Sequence, residues 1–359
     1  MTTRYGATRD DLVALTAELG EPRYRAAQLH TALWVQRRPL EDATDLPVRL
    51  RATLAERLPL ALTVAAAQRG DRDTTTKWLW RTADGAQVET VLMRYPRRAT
   101  VCVSSQAGCA MGCTFCATGQ AGFERHLTSG EICEQVLRAQ HASPQRVGNV
   151  VYMGMGEPLA NVDAVLDSLS RLHHDAGFSA RQLTVSTVGV VPGIERLAQL
   201  PLPVTLAVSL HAPDDDLRAR LVPLDRRYPI DAVLGAARTY AARKGRRLTF
   251  EYACIDGVND SPAQADALGR LLTGFRGGAH VNLIPLNPTS AFGGRASPAA
   301  RMSVFAQRLR ARGVHVSIRR NRGVGIDAAC GQLRAREAPA TAGAPTVPAP
   351  RPRSATMGP

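Results

Sequence analysis

The sequence predicts an α/β protein built as a partial (β/α)6 barrel, preceded by a small N-terminal helical domain and a β-hairpin extension. Residues 99–333 alternate short apolar segments with amphipathic helical segments six times and close on a last strand, VHVSI. This alternation is typical of a parallel sheet with its helices outside. Residues 1–62 show helical spacing without strand signals, and residues 63–98 carry strand-like runs.

The N-terminal 62 residues are expected to form a helical accessory domain, because RDDLVALTAEL and RYRAAQLHTALWVQ repeat apolar residues at helical spacing. In the extension over 63–98, Asp84-Gly85 separates two alternating runs within TKWLWRTADGAQVETVLMRY. An Asp-Gly pair between alternating runs is a strong signal for a two-residue hairpin turn.

The barrel strands are predicted in the segments TVCVSS, NVVYMG, QLTVST, VTLAVSL, RLTFEYAC and HVNLIPL, each followed by a helical segment. The helix after the first of them has a marked start, since Thr128 and Glu131 have the spacing of a capping box. From residue 334 the composition falls to Ala, Pro, Thr, Gly and Arg, which predicts a disordered tail over 334–359.

Composition limits the function classes. No apolar run approaches the roughly 18 to 20 residues of a membrane span, and the charged start MTTRYGATRDD does not fit a signal peptide. A cytoplasmic protein is therefore expected. Thiols stay reduced in that compartment, so clustered cysteines indicate metal or thiol chemistry.

The net charge of +14, with basic groups at 94–98, 243–247 and 319–322, indicates a nucleic-acid partner. Solvated arginines without a partner are the alternative reading of this charge.

Four of the seven cysteines stand in CVSSQAGCAMGCTFC, at Cys102, Cys109, Cys113 and Cys116. The last three follow the first barrel strand, and ligands of parallel β/α barrels bind at the carboxyl ends of the strands. Three thiolates on one loop suit a 4Fe–4S cluster with one iron left open. Structural zinc is the alternative, but it requires four ligands and the chain has no second C-x-x-C.

The spacing Cys109-x-x-x-Cys113-x-x-Cys116, with Phe115 before the last cysteine, resembles the signature of the radical S-adenosylmethionine superfamily. That resemblance implies that S-adenosylmethionine binds the open iron and is the source of a 5′-deoxyadenosyl radical. Polar groups follow the later strands, and GMGEP resembles the GGEP motif of the superfamily. The residues expected to contact S-adenosylmethionine are Gly156, Glu157, Ser186, Ser209, Leu210, His211 and Asn287.

The resemblance narrows to one family through ATVCVSSQAGCAMGCTFCATGQAGF, MGMGEPLAN, TVSTVGVVP, LAVSLHAPDDDLR, VNLIPLNP and GIDAACGQL. Together these segments are similar to the RlmN and Cfr family of radical RNA methyltransferases, and most similar to its RlmN branch. The resemblance implies methylation of carbon 2 of an adenosine in 23S rRNA, and in some members of an adenosine in tRNA. The Cfr branch, which methylates carbon 8, is the alternative activity.

Roles for three further residues come from the same resemblance. Cys330 matches the cysteine that carries the methyl group, Glu89 matches the general base that removes the proton from carbon 2, and Cys102 matches the thiol that releases the product. Cys133 and Cys254 are interpreted as structural.

The family resemblance also implies an RNA-binding role for EPRYRAAQLHTALW and an electron donor such as flavodoxin or ferredoxin, and we expect a monomer. A zinc-stabilised RNA-binding protein without catalysis is the competing hypothesis.

Overall fold

The N-terminal segment is helical, as its spacing predicts. The computed structural model describes residues 2–275 and 278–333, and its first helices are α1 (Arg9–Glu18), α2 (Tyr24–His30) and α3 (Val48–Arg57). Thr8 caps α1 through a reciprocal pair of hydrogen bonds with Asp11. The apolar stripes of these helices are buried in the main hydrophobic core, which extends into the rest of the molecule.

The extension contains three antiparallel strands, β1 (Leu62–Gly70), β2 (Thr75–Thr82) and β3 (Gln87–Arg94). The predicted hairpin joins β2 to β3, and Gly85 supplies the positive φ of +92° that its turn requires. Strand β1 was not predicted. Its sequence LTVAAAQRG is rich in alanine and mostly exposed or half-buried, so it lacks the alternation that signals a strand.

The seven predicted barrel strands are all present, and two short strands accompany them. In chain order the strands are β4 (Ala99–Cys102), β5 (Gln106–Gly108), β6 (Phe123–His126), β7 (Val147–Tyr152), β8 (Leu183–Thr187), β9 (Thr205–Ser209), β10 (Leu248–Cys254), β11 (Ala279–Pro285) and β12 (His315–Ile318). The helices among them are α4 (Ala117–Ala121), α5 (Ser129–His141), α6 (Val162–His174), α7 (Val191–Gln199), α8 (Asp215–Leu221), α9 (Ile230–Lys244), α10 (Pro262–Leu271) and α11 (Ala299–Ala311).

One ten-stranded sheet forms the body of the molecule, in the order β1-β2-β3-β4-β7-β8-β9-β10-β11-β12. Strands β4 and β7 to β12 are parallel, while β1 to β4 are antiparallel. The extension is thus an edge of the same sheet as the barrel. Central strands such as β8 and β9 are runs of Leu, Val, Thr and Ala, as expected where a sheet is covered on both faces.

Helix α5 begins at the predicted capping box, with Thr128 and Glu131 bonded to each other's backbone. The N-terminal domain is joined to this helix and to α6. Glu134 accepts the backbone N–H groups of Ala61 and Leu62 at 2.8 and 3.2 Å, and the Arg171 guanidinium donates to the carbonyl of Tyr5 at 2.7 Å. These buried contacts hold the helical domain against the barrel.

The predicted disordered tail over 334–359 lies outside the described residues. Within the described part of the chain, no helix has both the length and the apolar character required to span a membrane.

Candidate active site

A cavity of about 250 Å³ lies at the carboxyl ends of the parallel strands, where the sequence places its polar residues. Its walls come from the loop after β4, the ends of β7 to β11, and the segment after β12. The predicted site residues among its lining are Cys102, Cys113, Cys116, Gly156, Glu157, Ser186, Ser209, His211, Asn287 and Cys330.

The loop that carries the three predicted cluster ligands leaves β5 and returns through α4 to β6. The backbone N–H of Cys109 donates to the carbonyl of Gly122 at 2.7 Å, which closes the base of the loop. Gly108 has φ of +71°, and a Cβ there would lie 2.0 Å from the Gly122 oxygen, so only glycine fits. The small β5–β6 sheet, which the sequence analysis did not predict, therefore fixes where the loop begins and ends.

The three thiols of this loop are close enough to influence one another. Burial, followed by the charges of Glu157 and Cys116, raises the pKa of Cys109 to about 12. Burial, followed by the charges of Cys116 and Cys109, raises the pKa of Cys113 well above its ordinary value. Such thiols hold their protons without a cation, whereas a coordinated metal deprotonates them. The chemistry of this donor set therefore fits a metal-bound group.

A single-ion site and a cluster make different demands on the three thiols. Among residues 2–275 and 278–333, no three His, Cys, Asp or Glu side chains are grouped so that they could hold one metal ion. A structural zinc site requires four ligands converging on one point. In a cubane cluster each thiolate binds its own iron, so the thiols need not converge. Cys113 and Cys116 line the cavity, while Cys109 is buried behind them.

Gly156 and Glu157 form the wall that follows β7. Gly156 has φ of +97°, and a Cβ there would lie 2.5 Å from the Gln106 Cβ, so this position requires glycine. The Glu157 carboxylate accepts backbone N–H groups from Leu159 at 3.0 Å and from Val188 at 2.9 Å. Burial raises the pKa of Glu157 to about 7, against the effect of these hydrogen bonds. A cationic ligand group beside it would favour the ionised form.

The ends of β8 and β9 bring Ser186, Ser209 and His211 together. The hydroxyl oxygens of Ser186 and Ser209 are 3.3 Å apart. His211 Nδ1 accepts the backbone N–H of Ala253 at 3.0 Å, so the proton of the neutral ring is on Nε2. Burial lowers the pKa of His211 to about 3, which keeps the ring neutral. Its edge packs on Phe115, with ring centroids 4.9 Å apart.

Leu210, like Cys109 and Glu89, is a predicted site residue that does not line the cavity. It is fully buried in the hydrophobic core. Its backbone N–H donates to the carbonyl of Glu251 at 3.0 Å, and its carbonyl accepts the Arg218 guanidinium at 3.1 Å. The neighbours Ser209 and His211 line the cavity, whereas the Leu210 side chain is part of the core.

Cys102 and Cys330 line the same cavity, although they are far apart in the sequence. Burial raises the pKa of the Cys102 thiol, and the Cys330 charge adds to that effect. The carbonyl of Cys330 accepts the Asn287 side-chain amide at 2.9 Å, and the Asn287 oxygen accepts the amide of Asn321 at 2.6 Å. Asn287, expected to contact S-adenosylmethionine, thus positions the Cys330 segment in this structure.

Glu89 is buried on β3 and does not line the cavity. Its carboxylate pairs with the Lys77 ammonium at 2.9 Å. Since side chains alternate along a strand, Glu89 lies on the same face as Val91 and Met93, which do line the cavity. Lys77 also donates to the carbonyl of Asp327 at 3.3 Å. Lys77 therefore connects the predicted base to the segment that carries Cys330.

Sequence reasoning did not single out Lys77, Asn321 or Asp71. Asp71 accepts the backbone N–H of Gly323 at 2.8 Å, which holds the Cys330 segment to the turn between β1 and β2. Each of these residues forms a hydrogen bond with a residue more than 30 positions away in the chain. The segments that contain them match no motif. Cys133 and Cys254, interpreted as structural, lie in the main hydrophobic core.

The chain is similar to known proteins over most of its length. The chain matches the model of the radical SAM superfamily over residues 103–267. It is 54% identical over 349 residues to a probable dual-specificity RNA methyltransferase RlmN of Parafrankia sp. (strain EAN1pec), covering 91% of this chain and 90% of the relative. The RlmN of Salinispora tropica is 52% identical, over 90% of this chain and 91% of the relative.

A solved structure supports the fold over nearly the whole chain. The crystal structure of a radical SAM methyltransferase from Sphaerobacter thermophilus superposes with a TM-score of 0.87 and 51% sequence identity. The match covers 94% of this chain and all of that one. The partial barrel predicted from the alternation of strands and helices is therefore confirmed.

Proposed function

Because the chain belongs to the RlmN family of radical S-adenosylmethionine RNA methyltransferases, we propose that it methylates carbon 2 of an adenosine in the peptidyl-transferase centre of 23S rRNA. We extend the proposal to carbon 2 of an adenosine beside the anticodon of tRNA. These substrates place the proposed activity in the cytoplasm. The observation that carries the proposal is that Cys102 and Cys330 line one cavity together with Cys113 and Cys116 of the cluster loop.

Cys109, Cys113 and Cys116 would hold a 4Fe–4S cluster. Bound S-adenosylmethionine and the cluster together supply a radical able to remove hydrogen from an unactivated carbon. The methionine and nucleoside parts of S-adenosylmethionine would be contacted by Glu157, Ser186, Ser209 and His211. The neutral His211 ring offers an N–H donor at Nε2, and the two hydroxyls can donate or accept.

The chain's own thiols would carry and release the methyl carbon. Carbon 2 of adenine lies between two ring nitrogens and is too electron-poor to attack a methyl group as a nucleophile. We propose that Cys330 carries the carbon as an S-methyl thioether, that this methyl group loses one hydrogen atom to the radical, and that the carbon then bonds to carbon 2 while still attached to sulfur. Glu89 then accepts the carbon 2 proton as the adduct loses one electron, which the cluster would take up. Attack by the Cys102 sulfur on the Cys330 sulfur forms a disulfide and breaks the bond between sulfur and the transferred carbon, which keeps the electron pair and takes up a proton to become the methyl group.

Two features of the structure support this division of roles. Cys330 is exposed at the cavity, where a macromolecular substrate can reach it. Cys102 is buried, and its raised pKa keeps the thiol protonated, which protects it from reaction before it is needed. Glu89 does not line the cavity in this structure, so its role requires that the adduct approach the face of β3 on which it lies.

The test is to identify the methylated nucleoside. Protein reconstituted anaerobically with iron and sulfide, and supplied with a reductant such as flavodoxin, is incubated with 23S rRNA that lacks the modification. Chromatography and mass spectrometry of the digested RNA should show 2-methyladenosine. A product of 8-methyladenosine would assign the chain to the Cfr activity. A colourless protein with a single zinc and no methylated product would support the non-catalytic hypothesis.

A further inference from the structure

The structure brings together two of the three basic groups of the sequence. Residues 94–98 join β3 to β4, and residues 319–322 follow β12. Arg322 donates to the carbonyl of Arg94 at 3.0 Å and lies over the ring of Tyr95 at 4.3 Å. The third group, 243–247, precedes β10 and does not line the cavity. The other two groups therefore meet at the ring of Tyr95, which lines the cavity.

Tyr95 fixes the positions of two guanidinium groups. Arg98 lies over the same ring, 4.5 Å from its centroid, and donates to the Thr100 hydroxyl at 3.0 Å. A guanidinium over an aromatic ring is attracted by the ring's negative face. Arg98 and Arg322 are therefore held in place before any ligand arrives, and a ligand that binds them loses less side-chain freedom.

The charge of this surface is not neutralised by the protein. Within residues 2–275 and 278–333, Arg94, Arg97, Arg98, Arg320 and Arg322 form no ion pair. The neighbouring Arg319 has only a 3.8 Å pair with Glu251. Each guanidinium has five N–H donors, and the few protein contacts of Arg98 and Arg322 leave several for a ligand. An anion with many acceptor oxygens is the complementary partner.

The position of this surface identifies the anion. Tyr95, Arg320 and Arg322 line the cavity that contains Cys330. We propose that Tyr95, Arg98 and Arg322, with Arg97 and Arg320, form an arginine–tyrosine ledge that binds the phosphates flanking the target adenosine. A base inside the cavity must leave its stack, so its sugar–phosphate chain passes over the cavity rim. Phosphate contacts at the rim set the register of the strand, while the cavity selects the base.

This inference rests on the proposed function, and RNA binding tests it separately from methyl transfer. Binding of an in vitro transcribed 23S rRNA fragment containing the target adenosine is measured by fluorescence anisotropy over a series of salt concentrations. The double variant Arg98→Gln/Arg322→Gln should lower the slope of log K against log salt by about 1.4, or about 0.7 per lost phosphate contact on a single strand. At 0.15 M salt this corresponds to roughly tenfold weaker binding.

The matched control is Arg243→Gln/Arg247→Gln. It removes the same charge from exposed arginines that precede β10 and do not line the cavity. The strand order places β10 four strands from β4, which at about 4.8 Å per strand is more than a Debye length of about 8 Å. The effect of the control on binding should therefore be less than about twofold. Methyl transfer should show a raised KM for RNA with the ledge variant and an unchanged KM with the control.

Two Tyr95 variants separate positioning from charge. Tyr95→Phe keeps the ring and should bind RNA as the unmodified protein does. Tyr95→Leu keeps all the arginines but removes the ring, so binding should weaken while the salt slope stays the same. Urea unfolding midpoints verify that each variant is folded.

Equal weakening by both arginine pairs would overturn the ledge in favour of diffuse attraction. Unchanged binding by the ledge variant would place the RNA elsewhere on the protein. A protein that binds the fragment as described but forms no 2-methyladenosine would contradict the proposed function and leave the ledge supported.

Discussion

Replacing Lys77 by methionine is expected to lower the free energy of unfolding by about 3–5 kcal/mol. The Lys77 and Glu89 side chains are only 9% and 2% exposed, and the ammonium and carboxylate are 2.9 Å apart. Methionine has a similar length but no charge, so the substitution removes the ammonium while largely keeping the packing of the stem. The buried carboxylate then loses the cation that offsets its desolvation.

A double-variant cycle measures the interaction itself. Glu89→Met and the combined Lys77→Met/Glu89→Met variant are compared with the two single changes by urea unfolding of the anaerobically reconstituted protein. Because replacing both members of a buried pair by apolar residues is often neutral, the double variant should recover most of the loss, which gives a coupling energy of at least about 2–4 kcal/mol. Lys77→Arg, which keeps the charge, is the conservative control.

Hydrogen exchange adds a readout specific to this contact. Since Lys77 also donates to the Asp327 carbonyl at 3.3 Å, Lys77→Met should raise exchange in the segment 323–330 more than in the parallel strands. A loss below about 1 kcal/mol would mean that the pair behaves as an exposed one. Additive losses in the double variant would show that the two groups do not interact, and either result would refute the reasoning.

Three further predictions concern the cluster, the two thiols Cys330 and Cys102, and the half-buried His141. Single changes to alanine among the cluster ligands should abolish iron and sulfide binding and all cleavage of S-adenosylmethionine, as measured by metal analysis and chromatography; these ligands are Cys109, Cys113 and Cys116. Cys330→Ala should keep the cluster but transfer no methyl group, whereas Cys102→Ala and Glu89→Gln should accumulate protein covalently linked to RNA, seen as a nuclease-sensitive shift on a denaturing gel. Burial lowers the pKa of His141 from 6.5 to about 4, so the unfolded chain binds more protons below pH 6.5 and stability should fall by about 2 kcal/mol between pH 6.5 and 5. His141→Gln should remove that part of the pH dependence in urea unfolding.

Each of these predictions has a contrary result. A cysteine variant with a complete cluster would remove that residue from the ligand set. Normal turnover by Cys102→Ala without an adduct would make Cys102 a structural residue of β4. If His141→Gln and the unmodified protein show the same pH dependence, the titrating group lies elsewhere.

Local patterns in the sequence were sufficient for most of the architecture. The apolar runs of β7 to β11, the capping box at Thr128 and the turn at Asp84-Gly85 all reflect preferences that act within a few residues. The cysteine spacing, combined with the rule that ligands bind at the carboxyl ends of parallel strands, also located the site. In the structure the cavity lies there and is lined by most of the predicted residues.

Contacts between distant segments needed the tertiary structure. Three contacts join segments that no sequence periodicity relates. They are the ion pair of Lys77 with Glu89, the hydrogen bond from Asn287 to Cys330, and the stacking of Arg322 on Tyr95. The β5–β6 sheet was missed because strands of three and four residues are too short to show alternation. Leu210 was assigned to the site by its motif, yet its side chain is part of the core. The spacing of residues along the chain identifies the candidate ligands and catalytic groups. Their burial and their ion pairs depend on which segments lie side by side in the folded sheet.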